Sequence, residues 1–378
     1  MTATPPPPPA PPVIERPAPF QASYGLVSGR AAPGATRVVV RVDGRIVGKR
    51  ELAGRSFTLD VPLPLREVSV RVETVDGRGR RAGRTVRHVL GLPRAARPRL
   101  RAPRLDEALQ HRVRRLVAAF PGAAGVYVEN LGTGQAAAWN ASATFPAAST
   151  LKLAIAVTYL ARAGAGAPAP GSSSDRLLRS MLLASDNAAA NSMLVSLGGS
   201  TSGGGSLVNS LMRSIGLERT EMYGGYLIGT SLDAVREPTA RGVPLNVVDQ
   251  PAWGVGKATT AADLAQLHRT VWLASAGLGP LAGTRAGLDA AEARYLLYLL
   301  AHVQVHSKLG RAMHGGAAVL VLHKAGWIDA ARHDAGLVVW PGGIASAAVL
   351  TYRSFGPGRR ADILAGDVAE AALSRYRG

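Results

Sequence analysis

The 378 residues are 47% hydrophobic and 18% charged, with no cysteine, which gives a globular chain long enough for two domains, one of them with a sizeable core. Without cysteine there is no disulfide framework, thiol nucleophile or cysteine-ligated metal. The formal net charge of +19 is uneven, because residues 1–115 hold 23 Lys/Arg against 9 Asp/Glu; such a front end attracts polyanions without choosing among nucleic acid, acidic headgroups and wall polymers.

Residues 1–21, beginning MTATPPPPPAPP, predict a proline-rich, extended and disordered tail. The tail lacks the charged start and apolar run of a signal peptide. From 22 to 92 apolar residues alternate in TRVVVRV, RIVGKREL, SFTLDVPL and REVSVRVETV, with Asp43-Gly44 and Asp76-Gly77 between runs. Period two joined by Asp-Gly turns predicts hairpins and a small all-β, immunoglobulin-like sandwich. PRAARPRLRAPR, 93–104, is a stiff basic linker; a nucleic-acid clamp would need interleaved aromatics, which it lacks.

A second domain, 105–378, opens with Leu105, Leu109, Val113, Leu116 and Phe120 at helical spacing. A strand and hairpin follow at GVYVEN and LGTG, then helical patterns over 150–300. VLVLHK, AGLVVW and ASAAVLTYR return to strand before a closing helix near 361–376. Strands at both ends with helices between predict an α+β fold, an antiparallel sheet flanked by helices. The longest apolar run, LAIAVTYLA at 153–161, is too short to span a bilayer.

Three short patterns carry chemistry. In FPAASTLKLAIAV, Ser149 and Lys152 stand three apart, on one face of a helical turn. A lysine among apolar neighbours loses basicity and can take the serine proton; a capping serine before a snorkelling lysine is the structural alternative. Ser185-Asp186-Asn187 interrupts a helical pattern, either as a helix cap or as a proton relay (Ser185), a brace (Asp186) and a substrate-amide ligand (Asn187). HKAGW ends an apolar strand, so that Lys324 adds a fixed positive charge and Gly326 lets backbone approach substrate.

In this order the three resemble the S-x-x-K, S-D-N and K-T-G set of penicillin-recognising serine enzymes, class A β-lactamases in particular, over about residues 105–376. The resemblance implies a serine hydrolase that forms an acyl-enzyme at Ser149, with β-lactam amide hydrolysis as the leading activity. A D,D-peptidase or transferase acting on D-alanyl wall peptides, and a non-catalytic wall-binding module, are the alternatives. It further implies catalytic roles for Ser149, Lys152, Ser185 and Lys324, substrate contacts at Asn187, Ala325, Gly326 and Trp327, and an oxyanion hole from the N–H groups of Ser149 and Trp327. Neither metal nor other cofactor is implied. Family substrates lie outside the cytoplasmic membrane, so the resemblance implies an extracytoplasmic protein, with the basic β domain free to meet an anionic wall polymer.

The sequence departs from the family pattern in four places. Ala325 replaces the hydroxyl residue of the third motif, and only 32 residues separate Lys152 from Ser185. The deacylating glutamate has no clean counterpart; Glu237, in VREPTARG, is the nearest acidic candidate. Arg332 and His333 fall where a carboxylate-binding arginine is expected. Among other patterns, His302 and His306 are read as a solvated or packed pair on one helix face rather than a metal site. GVGKATT is read as a helix start with Thr260 and Asp263 as a capping box.

Overall fold

The computed structural model describes residues 10–164, 166–228, 256–283, 287–314 and 318–377. The chain divides into two compact units, Met1–Arg97 and Pro98–Gly378. In the first, β1 (Val13–Arg16), β2 (Gln21–Ser23), β3 (Leu26–Arg30), β4 (Ala35–Val42), β5 (Arg45–Glu51), β6 (Ser56–Asp60), β7 (Glu67–Asp76) and β8 (Arg81–Gly91) form two sheets. Their orders are β1-β3-β6 and β2-β8-β7-β4-β5. Val38, Val40, Val70, Val72 and Phe57 meet between them, as alternation requires of a sandwich.

The Asp43-Gly44 turn takes positive φ at both residues, 46° and 84°, the mirror-type geometry that matches strand twist. Two expectations change at the edges. Val13–Arg16 and Gln21–Ser23 pair with β3 and β8, so the end of the proline-rich segment is strand, because its Val, Ile and Gln backbone groups find partners. In the basic linker, Arg97 is tied to the Tyr24 carbonyl and to Asp60, so its first arginines serve the β unit.

The second unit runs β9 (Arg104–Leu105), α1 (Glu107–Ala118), β10 (Ala123–Asn130), β11 (Gln135–Trp139), β12 (Phe145–Pro146), α2 (Lys152–Ala163), α3 (Ser173–Leu183), α4 (Asn187–Gly198) and α5 (Thr201–Ser214). It continues through β13 (Ala258–Thr259), α6 (Ala261–Ala274), α7 (Pro280–Gly283), α8 (Ala290–Leu300), β14 (Leu320–Ile328), β15 (Ala331–Trp340), β16 (Gly343–Tyr352) and α9 (Gly358–Arg377). Six strands lie in the order β14-β15-β16-β10-β11-β9, antiparallel except where β9 runs parallel to β11. Helices α1 and α9 pack on one face through Leu109, Val113, Leu364 and Val368, and α6 covers the other. The architecture is α+β, a sheet flanked by helices.

Leu105 lies in β9 and is exposed; α1 begins after it, at Asp106, whose carboxylate caps the Leu109 N–H at 3.1 Å, a contact of about 1 kcal/mol. At α6, Thr260 accepts from the Asp263 N–H, while the Asp263 carboxylate serves the Arg219 N–H and the Thr220 hydroxyl. Helix α2 is buried almost all round, from Lys152 through Leu160 and Ala161, as a helix apolar on every face must be. No described helix is long and apolar enough to cross a membrane.

Candidate active site

Ser149 lies in a 3-10 turn, Ala148–Leu151, that leads directly into α2. The turn is held from below. His333 is fully buried; its Nδ1 accepts the Thr351 N–H at 3.1 Å, so its Nε2 carries the hydrogen and donates to the Pro146 carbonyl at 2.8 Å. Burial pushes His333 down to about 4, which keeps it neutral. From the other side the Tyr226 hydroxyl donates to the Ala148 carbonyl at 3.2 Å. Ala148 has φ 48°, a left-handed conformation costing about 1–3 kcal/mol in a residue with a Cβ. That strain sits one residue before the expected nucleophile.

Lys152, the first residue of α2, is 0% exposed. Its ammonium donates to the Ser185 carbonyl, to the Asn187 Oδ1 at 2.7 Å and to the Ser185 hydroxyl at 3.3 Å, and lies 4.6 Å from the Tyr226 ring centre. Burial brings its pKa down to about 7, opposed by Asp186 and reinforced by Lys257. A neutral amine, able to accept a proton, is therefore well populated near neutral pH.

Ser185 also has positive φ, 60°, and this turn between α3 and α4 points its hydroxyl at two lysines. Lys324 Nζ donates to it at 2.9 Å and to the Ala325 carbonyl at 2.9 Å. Asp186 is both the cap and the brace: it accepts from the Ala188 and Ala189 N–H groups and from the Ser180 hydroxyl, at 2.6 Å. The Ser180 hydrogen bond is the chief reason its carboxyl is held low. Asn187 spends its carbonyl on Lys152 and one N–H on the Leu227 carbonyl at 2.7 Å. It is thus an orienter of Lys152.

Burial first, then Lys152 and Lys308, lower Lys324 to about 7 against the pull of Asp334. Beside it Ala325 is fully buried. Gly326 passes so near the nucleophile turn that a Cβ there would lie 2.8 Å from both the Ser149 and Thr150 nitrogens. Trp327 is 48% exposed at the end of β14. The sequence-expected Ser149, Lys152, Ser185, Asn187, Lys324 and Gly326 are thus brought together.

Other expectations fall elsewhere. Arg332 makes a two-point ion pair with Asp362 of α9, at 3.1 and 3.0 Å, which occupies the guanidinium that was to bind a carboxylate. Helix α8 ends at Leu300, so His302 and His306 share no helix face; His302 Nδ1 turns back to the Tyr298 carbonyl at 2.7 Å. Among the described residues no group of three His, Asp or Glu could hold a metal. Glu237 lies outside the described residues.

The sequence pattern of the beta-lactamase enzyme family matches residues 108–171 and 168–376. The chain belongs to that beta-lactamase family. A comparison with curated proteins gives no match. Among solved structures, PBP-A, and a PBP-A variant captured as an acyl-enzyme complex with penicillin G, are each 22% identical with a TM-score of 0.55, covering 74% of this chain and 99% of theirs. A beta-lactamase from Sphaerobacter thermophilus is 20% identical, with a TM-score of 0.51 over 71% of this chain and 97% of its own. At these identities the likeness shows the fold of beta-lactamases and penicillin-binding serine hydrolases.

Two lysines escaped the motif reading. Lys257, at the head of β13, places its ammonium 4.5 Å from the Tyr226 ring centre. Lys308 is buried, donates to the Gly326 carbonyl at 3.3 Å and the His333 carbonyl at 3.0 Å, and lies 4.9 Å from the Trp327 ring centre. A signal was present: only five of the 44 basic residues are lysine, and Lys152, Lys257, Lys308 and Lys324 all gather here. Solvated surface accepts arginine and lysine alike, whereas a buried, deprotonatable amine must be lysine.

Proposed function

We propose that this beta-lactamase-family chain attacks the amide carbonyl of a β-lactam through Ser149. The observation that carries the reading is the convergence of two buried, pKa-lowered lysines on the Ser185 hydroxyl beside the nucleophile turn. The neutral Lys152 amine takes the Ser149 hydroxyl proton as Oγ bonds to the carbonyl carbon. N–H groups of Ser149 and Trp327 receive the developing oxyanion. As the C–N bond breaks, Ser185 passes a proton to the leaving nitrogen and is resupplied from Lys152 or Lys324. Water then hydrolyses the ester; Glu237 is the sequence candidate for activating it.

The acyl-enzyme of a PBP-A variant with penicillin G supports a second reading on the same fold, in which the acyl-enzyme persists and the physiological substrate is a D-alanyl wall peptide. The decisive experiment follows intact mass over minutes after mixing with penicillin G, beside Ser149→Ala. A serine-dependent adduct that disappears supports β-lactam hydrolysis, and one that persists supports the second reading. No adduct at any time, with penicillin G left intact in the mixture, refutes both and leaves a non-catalytic module.

A further inference from the structure

Lys257 belongs to none of the three motifs, yet it is anchored to the nucleophile turn. Its carbonyl accepts the Ala147 N–H at 2.7 Å, and its ammonium donates to the Gly225 carbonyl. It shares the Tyr226 ring with Lys152: the two ammonium nitrogens lie 4.5 and 4.6 Å from the ring centre, hence within about 9 Å of each other. Among the described residues the charged groups facing Lys152 are Asp186 at the N-cap of α4, Lys324 from β14 and Lys257 just before β13. Asp186 favours a charged Lys152; the other two disfavour it. At an effective dielectric of about 20, a like charge at that distance is worth roughly one pH unit, less where water screens it.

We propose that Lys257 is a positioning residue for acylation, holding the proton that would otherwise rest on Lys152 and so keeping the Lys152 amine free to accept the Ser149 proton. This rests on the roles given to Ser149 and Lys152 above. Lys257 is half-buried whereas Lys152 is 0% exposed, so water reaches the Lys257 ammonium and favours charge there over Lys152, with burial lowering both.

With five lysines in the chain, NMR of protein carrying carbon-13 at the lysine ε position follows each amine without any substrate. Lys49, in the other unit, is the internal reference. Lys257→Met is expected to raise the Lys152 midpoint by roughly half to one pH unit. It should also move the acid limb of the penicillin-adduct rate upward by the same amount. Lys257→Arg, which keeps a cation, returns both to or below the wild-type position. If the methionine variant loses the Lys308 and Lys324 signals of the folded site, Lys257→Gln takes its place. An unmoved Lys152 midpoint in a folded neutral variant overturns the proposal, as does a raised midpoint that the arginine variant fails to reverse. Absence of any adduct in the wild-type protein, with penicillin G left unhydrolysed, refutes the proposed function instead, and the lysine titration still decides the coupling.

Discussion

Gly326→Ala isolates the contact between β14 and the nucleophile turn. The new methyl carbon would lie 2.8 Å from the Ser149 and Thr150 nitrogens and 3.1 Å from the Thr150 Cγ2, where heavy atoms prefer roughly 3.5 Å. Two of those three neighbours are backbone, so no rotamer change relieves them, and the turn must retreat from the strand by about 0.7 Å. Overpacking of this kind costs about 1–3 kcal/mol, and at about 2–4 °C per kcal/mol for a domain of this size the melting temperature falls by roughly 2–12 °C. The same displacement separates the Ser149 and Trp327 N–H groups. A misplacement of about 1 Å costs on the order of 100-fold in rate, so acylation should slow by roughly 30- to 100-fold. Stopped-time intact mass with penicillin G gives the second-order acylation rate, and thermal unfolding gives the cost in stability. A variant that melts lower but acylates within about threefold of wild type would refute the argument that this close approach aligns the two donors.

Ser185→Ala removes the hydroxyl that both Lys152 and Lys324 reach; the expected loss in penicillin acylation rate is about 10²- to 10⁴-fold, with the far-ultraviolet spectrum unchanged. Stability should rise with pH above neutrality. Lys152 and Lys324 hold pKa values near 7 in the folded protein, against 10.5 for a free lysine, so between those values the unfolded chain binds protons that the folded chain does not. The gain from pH 7 to pH 9 is about 2 kcal/mol for either lysine, read as a higher urea midpoint. It reverses above about pH 10, where unfolded tyrosines ionise and the buried Tyr226, raised by burial, does not. In acid the same linkage operates through His268 and His333, both lowered by burial to about 4 from 6.5. Stability is lost as pH falls from about 6.5 toward 4, by up to about 3 kcal/mol each.

The strands were legible because their signal is local: alternating valines and an Asp-Gly turn fix β4, β5 and the hairpin between them within eighteen residues or so. The three motifs were legible because each packs two functional groups into one turn or one strand end. What escaped was whatever depends on the far side of the fold. Arg332 reads like a carboxylate ligand until Asp362, on the last helix, claims it. Left-handed φ at Ala148 and Ser185 leaves no trace in residue type, since neither is glycine; tertiary contacts impose it. Lysine scarcity was the overlooked clue, because it becomes informative only once the fold shows that four of the five lysines gather at one site.

The pairing of β10 with β16 joins Ala123 to Tyr352 and Asn130 to Ala345. Such a distant pairing makes the sheet slow to form, since loop-closure entropy is lost before any ladder contact compensates it. During synthesis β10 waits, with one edge unsatisfied, until most of the chain has left the ribosome. A product terminated after Trp340 would keep every motif residue and still present the β10 edge, rich in valine and alanine, to other chains as a template for aggregation. The residues after Trp340, which contain no motif residue, therefore supply the strand that closes the β10 edge.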